Sequence, residues 1–493
     1  MPAAEHGGWS TTHTSREAGV APEPVMAAAA GGKGESGDST ALSTVGEDGS
    51  VAATPPRPAS GRDVRLYWWA NTSDALGTQI SGLVLPVFLL SLGQSPAAIG
   101  LITGASLGAG LLLAPYAAVL ADRGARKRVM VWSATVSAMA MGSVAAAAAL
   151  GHVVWAHVLT ALVVERFATS CQEAAASGTV AAVAPRADYP RVVSRLQAGE
   201  QGAVVAGPVL GGWLYQWFRW LPFLADAVSY LVAAVCVRRM RSDLTPAPAP
   251  APDPTAPVPG PSPVPVPDPS PAPSPGVGTE ASAGPPRTAW RATATEVGAG
   301  VRLALDTPFL RLVLLWTTAV GGALGGLYYS VVFRVGGDGT HASALGLALS
   351  CAGGAGLVGS LAAPRLARRL SPAAGLVAVS WLMVPIAAGL ALTDRLWAYG
   401  VLFGALSLLT AVVTVVLQAH AVAVTPPHLQ ARTGAALATA AGAAAALAPI
   451  MAGACADGFG PAATSAGCAV LLAAVAAWTT RAALAGSLPG RSA

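Results

Sequence analysis

The chain has 493 residues, of which 53% are hydrophobic and only 11% charged, with a net charge of +5 and a mean hydropathy of +0.56. A soluble domain carries about 25% charged residues, and here the apolar residues come in blocks of about 20, the length that crosses a bilayer core. That argues against a soluble enzyme, a nucleic-acid binder and a disulfide-stapled secreted domain.

Residues 1–62 are rich in Gly, Ala, Ser, Thr, Pro and Glu. They cannot bury enough apolar surface to fold, and they lack the apolar segment behind a basic start that marks a signal peptide. They are read as a disordered cytoplasmic tail. Residues 63–241 hold six apolar spans, near 66–92, 97–120, 129–150, 154–177, 196–217 and 221–238. Residues 242–287 form a Pro-rich linker: 17 of the 39 prolines fall between 246 and 286, and a chain with φ fixed so often is extended and polyproline-like. Residues 288–485 hold six more spans, near 308–333, 343–364, 373–392, 396–422, 433–455 and 462–484, and 486–493 form a short cytoplasmic tail.

Only helices or closed barrels satisfy the backbone in lipid, and these runs lack the alternation of barrel strands. The expected fold is an all-α membrane protein, with twelve transmembrane helices in two six-helix halves. Arg and Lys are enriched in cytoplasmic loops. Placing the termini inside puts 16 of these residues in the inside loops, against Arg219, Arg334 and Arg395 outside. Both termini and the linker are therefore expected in the cytoplasm, in a multi-pass protein of a bacterial plasma membrane.

Between spans 2 and 3 the chain reads Ala-Val-Leu-Ala-Asp-Arg-Gly-Ala-Arg-Lys-Arg, 118–128. Span 5 contains Gly207, Pro208, Gly211 and Gly212 in Gly-Pro-Val-Leu-Gly-Gly, and span 6 begins with Pro-Phe-Leu-Ala-Asp-Ala-Val-Ser-Tyr, 222–230. Thr-Pro-Pro-His-Leu-Gln-Ala-Arg-Thr, 425–433, precedes span 11. These stretches resemble the loop and span motifs of the major facilitator superfamily, and within it the drug–proton antiporters that include macrolide and siderophore exporters. Ala118 and Ala125 stand where the family usually has glycine, and Gln430 and Ala431 also depart from its pattern. The resemblance implies a major facilitator fold. It also implies a cytoplasmic latch between the halves at Asp122, Arg123, Arg126 and Lys127, and an antiporter motif at Gly207, Pro208, Gly211 and Gly212. Small residues mark spans 2 (Gly100, Gly104, Gly108), 5, 8 and 11, the four that line the seam between halves in that superfamily. Close packing without large knobs lets one half rock on the other.

Among the ionisable residues within spans six stand out, all in the first half: Asp74, Glu165, Arg166, Glu173, Glu200 and Asp226; the second half has no acid within its spans. A charge in the membrane is a functional candidate by default. Asp74 on span 1 and Glu165 and Arg166 on span 4 are the expected proton-coupling residues. Because adjacent residues on a helix diverge, Glu165 and Arg166 are expected to pair only loosely. Glu173 and Glu200 read as local or snorkelling groups near span ends, and Asp226 as a structural cap or interhelix bond. Tyr328, Tyr329, Gln418 and His420 are the expected lining of a substrate cavity. Trp316 and Phe403 are further aromatic candidates, and Trp68, Trp69, Trp155 and Trp397 belong to the interfacial belt.

The five cysteines and seven histidines are dispersed, so no metal is expected. No phosphate-binding Gly-x-x-x-x-Gly-Lys-Ser/Thr occurs either, and no cofactor or ATP coupling is expected. The partners implied are a small-molecule substrate, protons and the lipid bilayer, and no nucleic acid. The expected function is proton-coupled efflux of a moderately hydrophobic antibiotic, drug or secondary metabolite by alternating access. A siderophore exporter, a proton-coupled importer and a transport-inactive sensor or scaffold are the alternatives; enzymatic activity is not expected.

Overall fold

A computed structural model of the protein describes residues 61–123, 126–176, 179–242, 244, 302, 305–336, 342–369, 372–425 and 430–485. Most of the expected tail and linker, and residues 486–493, lie outside them. Among the described residues are twelve long helices: α1 (Gly61–Ser91), α2 (Pro96–Arg123), α3 (Arg126–Ala149), α4 (Trp155–Ala176), α5 (Tyr189–Trp217), α6 (Leu221–Arg239), α7 (Pro308–Val335), α8 (Ala342–Arg369), α9 (Pro372–Leu392), α10 (Leu396–Val424), α11 (Gln430–Phe459) and α12 (Pro461–Leu484). A short helix, Thr179–Val183, and a single 3₁₀ turn link α4 to α5. Each long helix overlaps one expected span. The largest boundary differences are at the N-termini of α1 and α5, which begin five and seven residues early, and at the C-terminus of α8, which runs five residues further.

The helix ends follow local chemistry. Pro96, Pro308, Pro372 and Pro461 each occupy the first helical position, where a missing N–H costs nothing. Past the end of α1, Gly93 takes φ +80°, the left-handed turn that stops a helix and suits glycine.

Ten of the twelve helices are long and apolar enough to cross a bilayer; α4, which carries Glu165, Arg166 and Glu173, and α5, which carries Arg191, Arg195 and Glu200, are the more polar two. Large apolar side chains also face outward, among them Leu392, Phe459 and Leu484. So broad an exposed apolar surface fits lipid contact rather than water.

The halves repeat one packing pattern. In the first, α1 packs on α5 and α6, α3 on α4 and α6, and α2 on α4; in the second, α7 packs on α11 and α12, α9 on α10 and α12, and α8 on α10. The halves meet along two antiparallel seams, α2 with α11 and α5 with α8. These are the four small-faced spans expected at the seam.

Glycine makes the seams possible. A Cβ on Gly100 would overlap the Pro449 carbonyl oxygen, and one on Gly453 would overlap that of Pro96. Across the other seam a Cβ on Gly346 would overlap the Pro208 oxygen, and one on Gly212 that of Ala342. Gly108, expected in the same ridge as Gly100 and Gly104, has nothing within 4 Å, and neither do Gly354 and Gly434. Among the described residues the tight contacts between the halves thus lie toward the end of the molecule that holds the α1–α2 loop. Polar bonds cross there too: Gln216 Nε2 donates to Ser343 Oγ at 2.6 Å, and Ala97 N–H donates to Asp457 Oδ2 at 3.4 Å.

Candidate functional site: a cavity between the halves

A cavity of about 460 Å³ lies between the halves, bounded by α1 to α6 on one side and by α7, α8 and α10 on the other. Tyr328, Tyr329 and Phe403 supply its aromatic surface. Tyr328 and Tyr329 meet edge to face, centroids 5.0 Å apart, and Tyr328 Oη donates to the Gly82 carbonyl across the halves at 3.4 Å. The remaining wall is mostly small or aliphatic, with Gln79, Thr78, Thr103, Ser81, Ser106 and Ser407 as polar points. Such a mixture suits an amphiphilic ligand.

The cavity's charges come from Glu165, Arg166 and Asp226. Glu165 and Arg166 form a bidentate pair, Nε to Oε2 at 2.7 Å and Nη2 to Oε1 at 3.0 Å. The loose pairing expected for neighbours in sequence is therefore corrected: both side chains are long enough to curl around the helix and meet. Glu165, 3% exposed, also accepts bonds from Thr169 at 2.9 Å and from Tyr230 of α6 at 2.7 Å. These donors compensate a buried carboxylate that would otherwise be costly. Asp74 is half-buried on α1, within electrostatic reach of Glu165, Glu173 and Arg166, but is not part of the cavity wall.

Asp226 is 1% exposed, and its Oδ1 has no hydrogen-bond partner. The structural role read from the sequence would predict a satisfied carboxylate. What gives the position away is its packing, with Gly77 pressed against the carboxyl, and no spacing rule reveals that. Glu200 accepts from Asn71 of α1 at 2.9 Å and from Gln197 of its own helix at 3.0 Å, two amides rather than an ion-pair partner.

Two expected lining residues stand elsewhere. Gln418 borders a second cavity of about 520 Å³ among α7, α10 and α11. His420 lines neither cavity and turns back to the Val416 carbonyl, 3.0 Å away. Trp316 is fully buried, donating to Ser380 Oγ at 3.0 Å.

The Gly-Pro-Val-Leu-Gly-Gly motif faces two ways. Gly207 and Gly211 admit Gln79 and Ile80 of α1, while Pro208 and Gly212 meet α8. At the expected latch, the side chains of Asp122 and Arg123 lie outside the described residues. Lys127 Nζ donates to the Met240 carbonyl at 2.5 Å, a bond within the first half, and Arg126 is half-buried at the start of α3.

Solved structures share this architecture. A bacterial homolog of the human lysosomal transporter Spinster, inward-facing and unoccupied, aligns with a TM-score of 0.63 at 14% identity, over 88% of this chain and 100% of that one. The same kind of homolog, inward-facing and occupied, aligns with a TM-score of 0.57 at 14% identity, over 87% and 98%. The nucleoside transporter NupG aligns with a TM-score of 0.59 at 11% identity, over 85% and 99%. At these identities the likeness is one of fold. Among curated proteins, none matches the sequence. The model described as Major Facilitator Superfamily matches residues 67–449, well over half of the sequence, and the chain belongs to that family of membrane transporters.

Proposed function

We propose that the protein is a proton-coupled exporter of a moderately hydrophobic small molecule, working by alternating access. The observation that carries this reading is the cavity itself: aromatic and aliphatic over most of its wall, with its ionisable groups gathered on the first half. An apolar, aromatic surface binds an amphiphile, and carboxyl groups beside it can exchange a proton as the halves rock. An anion carrier would need several cations at this depth, and Arg166, already paired with Glu165, is the only one on the cavity wall.

The excess of Arg and Lys in alternate loops supports a plasma-membrane orientation with both termini cytoplasmic. In that orientation the glycine seams seal the external end and the cavity faces inward, where an exporter loads. The tail (1–62) and linker (242–287) then lie in the cytoplasm as accessories to transport. Drug–proton antiport of the macrolide-exporter type is the subgroup favoured by the Gly207–Gly212 and 222–230 motifs.

The test uses everted vesicles from an efflux-deficient host, energised acidic inside, with erythromycin and ethidium as probes. Accumulation abolished by a protonophore is expected, and it should survive deletion of residues 1–58. Uptake indifferent to the protonophore would overturn proton coupling. Absence of uptake by the wild-type protein itself would favour a narrow-substrate exporter or the transport-inactive scaffold.

A further inference from the structure

Four ionisable side chains gather inside the first half: Asp74 on α1, Glu165 and Arg166 on α4, and Asp226 on α6. Pairing does not balance their charges. Arg166 is the one cation among them, and it is clasped by both oxygens of Glu165. Glu165 is further bonded to Tyr230 and Thr169. Asp226 borders the cavity, is buried, and has Oδ1 free. As a carboxylate it would be an interior charge without salt bridge or full hydrogen bonding, the state proteins avoid most strongly. As a neutral acid it can remain there.

Among the described residues the surroundings of Asp226 offer no substitute cation. α6 packs on α1 and α3. From α1 come Gly77, whose Cβ would press on Oδ1 and on Ser229, and Ser81, whose hydroxyl lies against the Asp226 carboxyl as well as the Gly77 and Thr78 carbonyls of its own helix and brings no charge. Asp74 is also on α1, and Glu165 and Arg166 approach from α4. α3 offers Met141 to the same cavity. Its titratable residues, Arg126, Lys127 and Arg128, lie in its first turn, remote from the cavity. α5 touches α6 more lightly, and its Glu200 is bonded to Asn71 and Gln197. On α6 itself Tyr230 lies one turn beyond Asp226, on the same face, with its hydroxyl on Glu165 and 3.3 Å from Thr78 Oγ1.

We propose that Asp226 is the proton-carrying group of this transporter, taking up and releasing one proton at the cavity surface as the halves exchange access. This rests on the proton-coupled reading above and names the site for it. The step moves a proton and nothing else. Oδ1 accepts a proton from water in the open cavity, the neutral acid persists while the cavity is dry, and water takes the proton back when the cavity next wets. Glu165 and Arg166 stay a fixed pair, and Tyr230 positions the two carboxyl groups apart.

The test is infrared difference spectroscopy of the full-length protein in nanodiscs over a pH series, without substrate. Wild type should show the carbonyl band of a buried neutral carboxylic acid, disappearing at high pH. Asp226→Asn should lose that band, and Asp74→Asn should keep it. Asp226→Glu retains an acid and should move the band, so it carries the assignment if Asp226→Asn does not fold. A band that survives Asp226→Asn and vanishes in Asp74→Asn or Glu165→Gln overturns the proposal. So does a band removed by sodium at constant pH, which would make the site one for sodium. A wild type without the band also sinks Asp226, whatever the vesicles do. The protonophore arm of the vesicle assay decides separately whether transport is proton-coupled.

Discussion

Glu165 and Arg166 are consecutive in the chain and yet meet as a two-point ion pair, Nε to Oε2 at 2.7 Å and Nη2 to Oε1 at 3.0 Å. The carboxylate is nearly sealed from solvent, while a quarter of the guanidinium side chain remains accessible. The pair therefore presents a donor fork to the cavity with its charge already compensated on the protein side.

Removing one partner strands the other. Glu165→Gln takes from Arg166 its countercharge and one of its two acceptor oxygens, and breaking a buried pair typically costs about 3–5 kcal/mol. The expected outcome is a marked fall in the melting temperature of the detergent-purified protein. Glu165→Gln combined with Arg166→Gln should recover part of that loss. A double-mutant cycle on melting temperature, showing no coupling between the two positions, would refute the pairing.

The seams make a steric prediction. Gly100→Ala, Gly346→Ala and Gly453→Ala each place a methyl group on a backbone carbonyl of the opposite half, and backbone cannot move aside as a flexible side chain can. These variants should disfavour closure at the α1–α2 loop end. Spin-label distances across that end should lengthen. Gly108→Ala, with open space around it, should leave the distances as in wild type.

Ligand binding can be assigned between the two cavities. Tyr328→Ala and Tyr329→Ala remove the aromatic wall of the central one, and loss of an aromatic contact of ~1.4 kcal/mol corresponds to about a tenfold weaker Kd. The measurement is erythromycin or ethidium binding to purified protein. Weakening by Gln418→Ala, with the tyrosine variants unaffected, would move the site to the cavity among α7, α10 and α11.

The fold was legible because lipid leaves a chain few options. Each of the twelve apolar runs overlaps a helix, and the small-residue runs in 97–120, 196–217, 343–364 and 433–455 mark the helices that meet across the halves. Depth and rotation were less legible. Tyr328 and Tyr329 reach the cavity, while Gln418 and His420, on a neighbouring helix at similar apparent depth, turn to a second cavity and to a backbone carbonyl. A run of Ala, Val and Leu around them leaves the rotation of α10 unmarked in the sequence. Asp226 marks another limit: its Oδ1 lacks a hydrogen-bond partner, and an absent partner leaves no pattern along the chain.

A fourth prediction concerns the first half alone. Asp63 at the start of α1 accepts bonds from the Arg241 and Ser242 amides at 3.0 and 2.7 Å and from the Ser242 hydroxyl at 2.6 Å, just past the end of α6. Asp63→Ala should cost about 1–3 kcal/mol, the penalty for unsatisfied buried donors. Limited proteolysis should then cut faster near residue 242. Unchanged cleavage and melting would show the clamp to be dispensable.

The two seams are equivalent by the internal repeat but independent in their residues, since α2 and α11 share nothing with α5 and α8. Among the described residues each is a narrow strip of backbone against backbone, tight toward the α1–α2 loop end. If both let go together, the molecule opens like a jaw. If one yields first, the other becomes a pivot and the molecule opens like a door, exposing one side of the cavity before the other. Unequal wear on the two strips, such as a methyl group added to Gly346 but not to Gly100, would set which side a substrate leaves by.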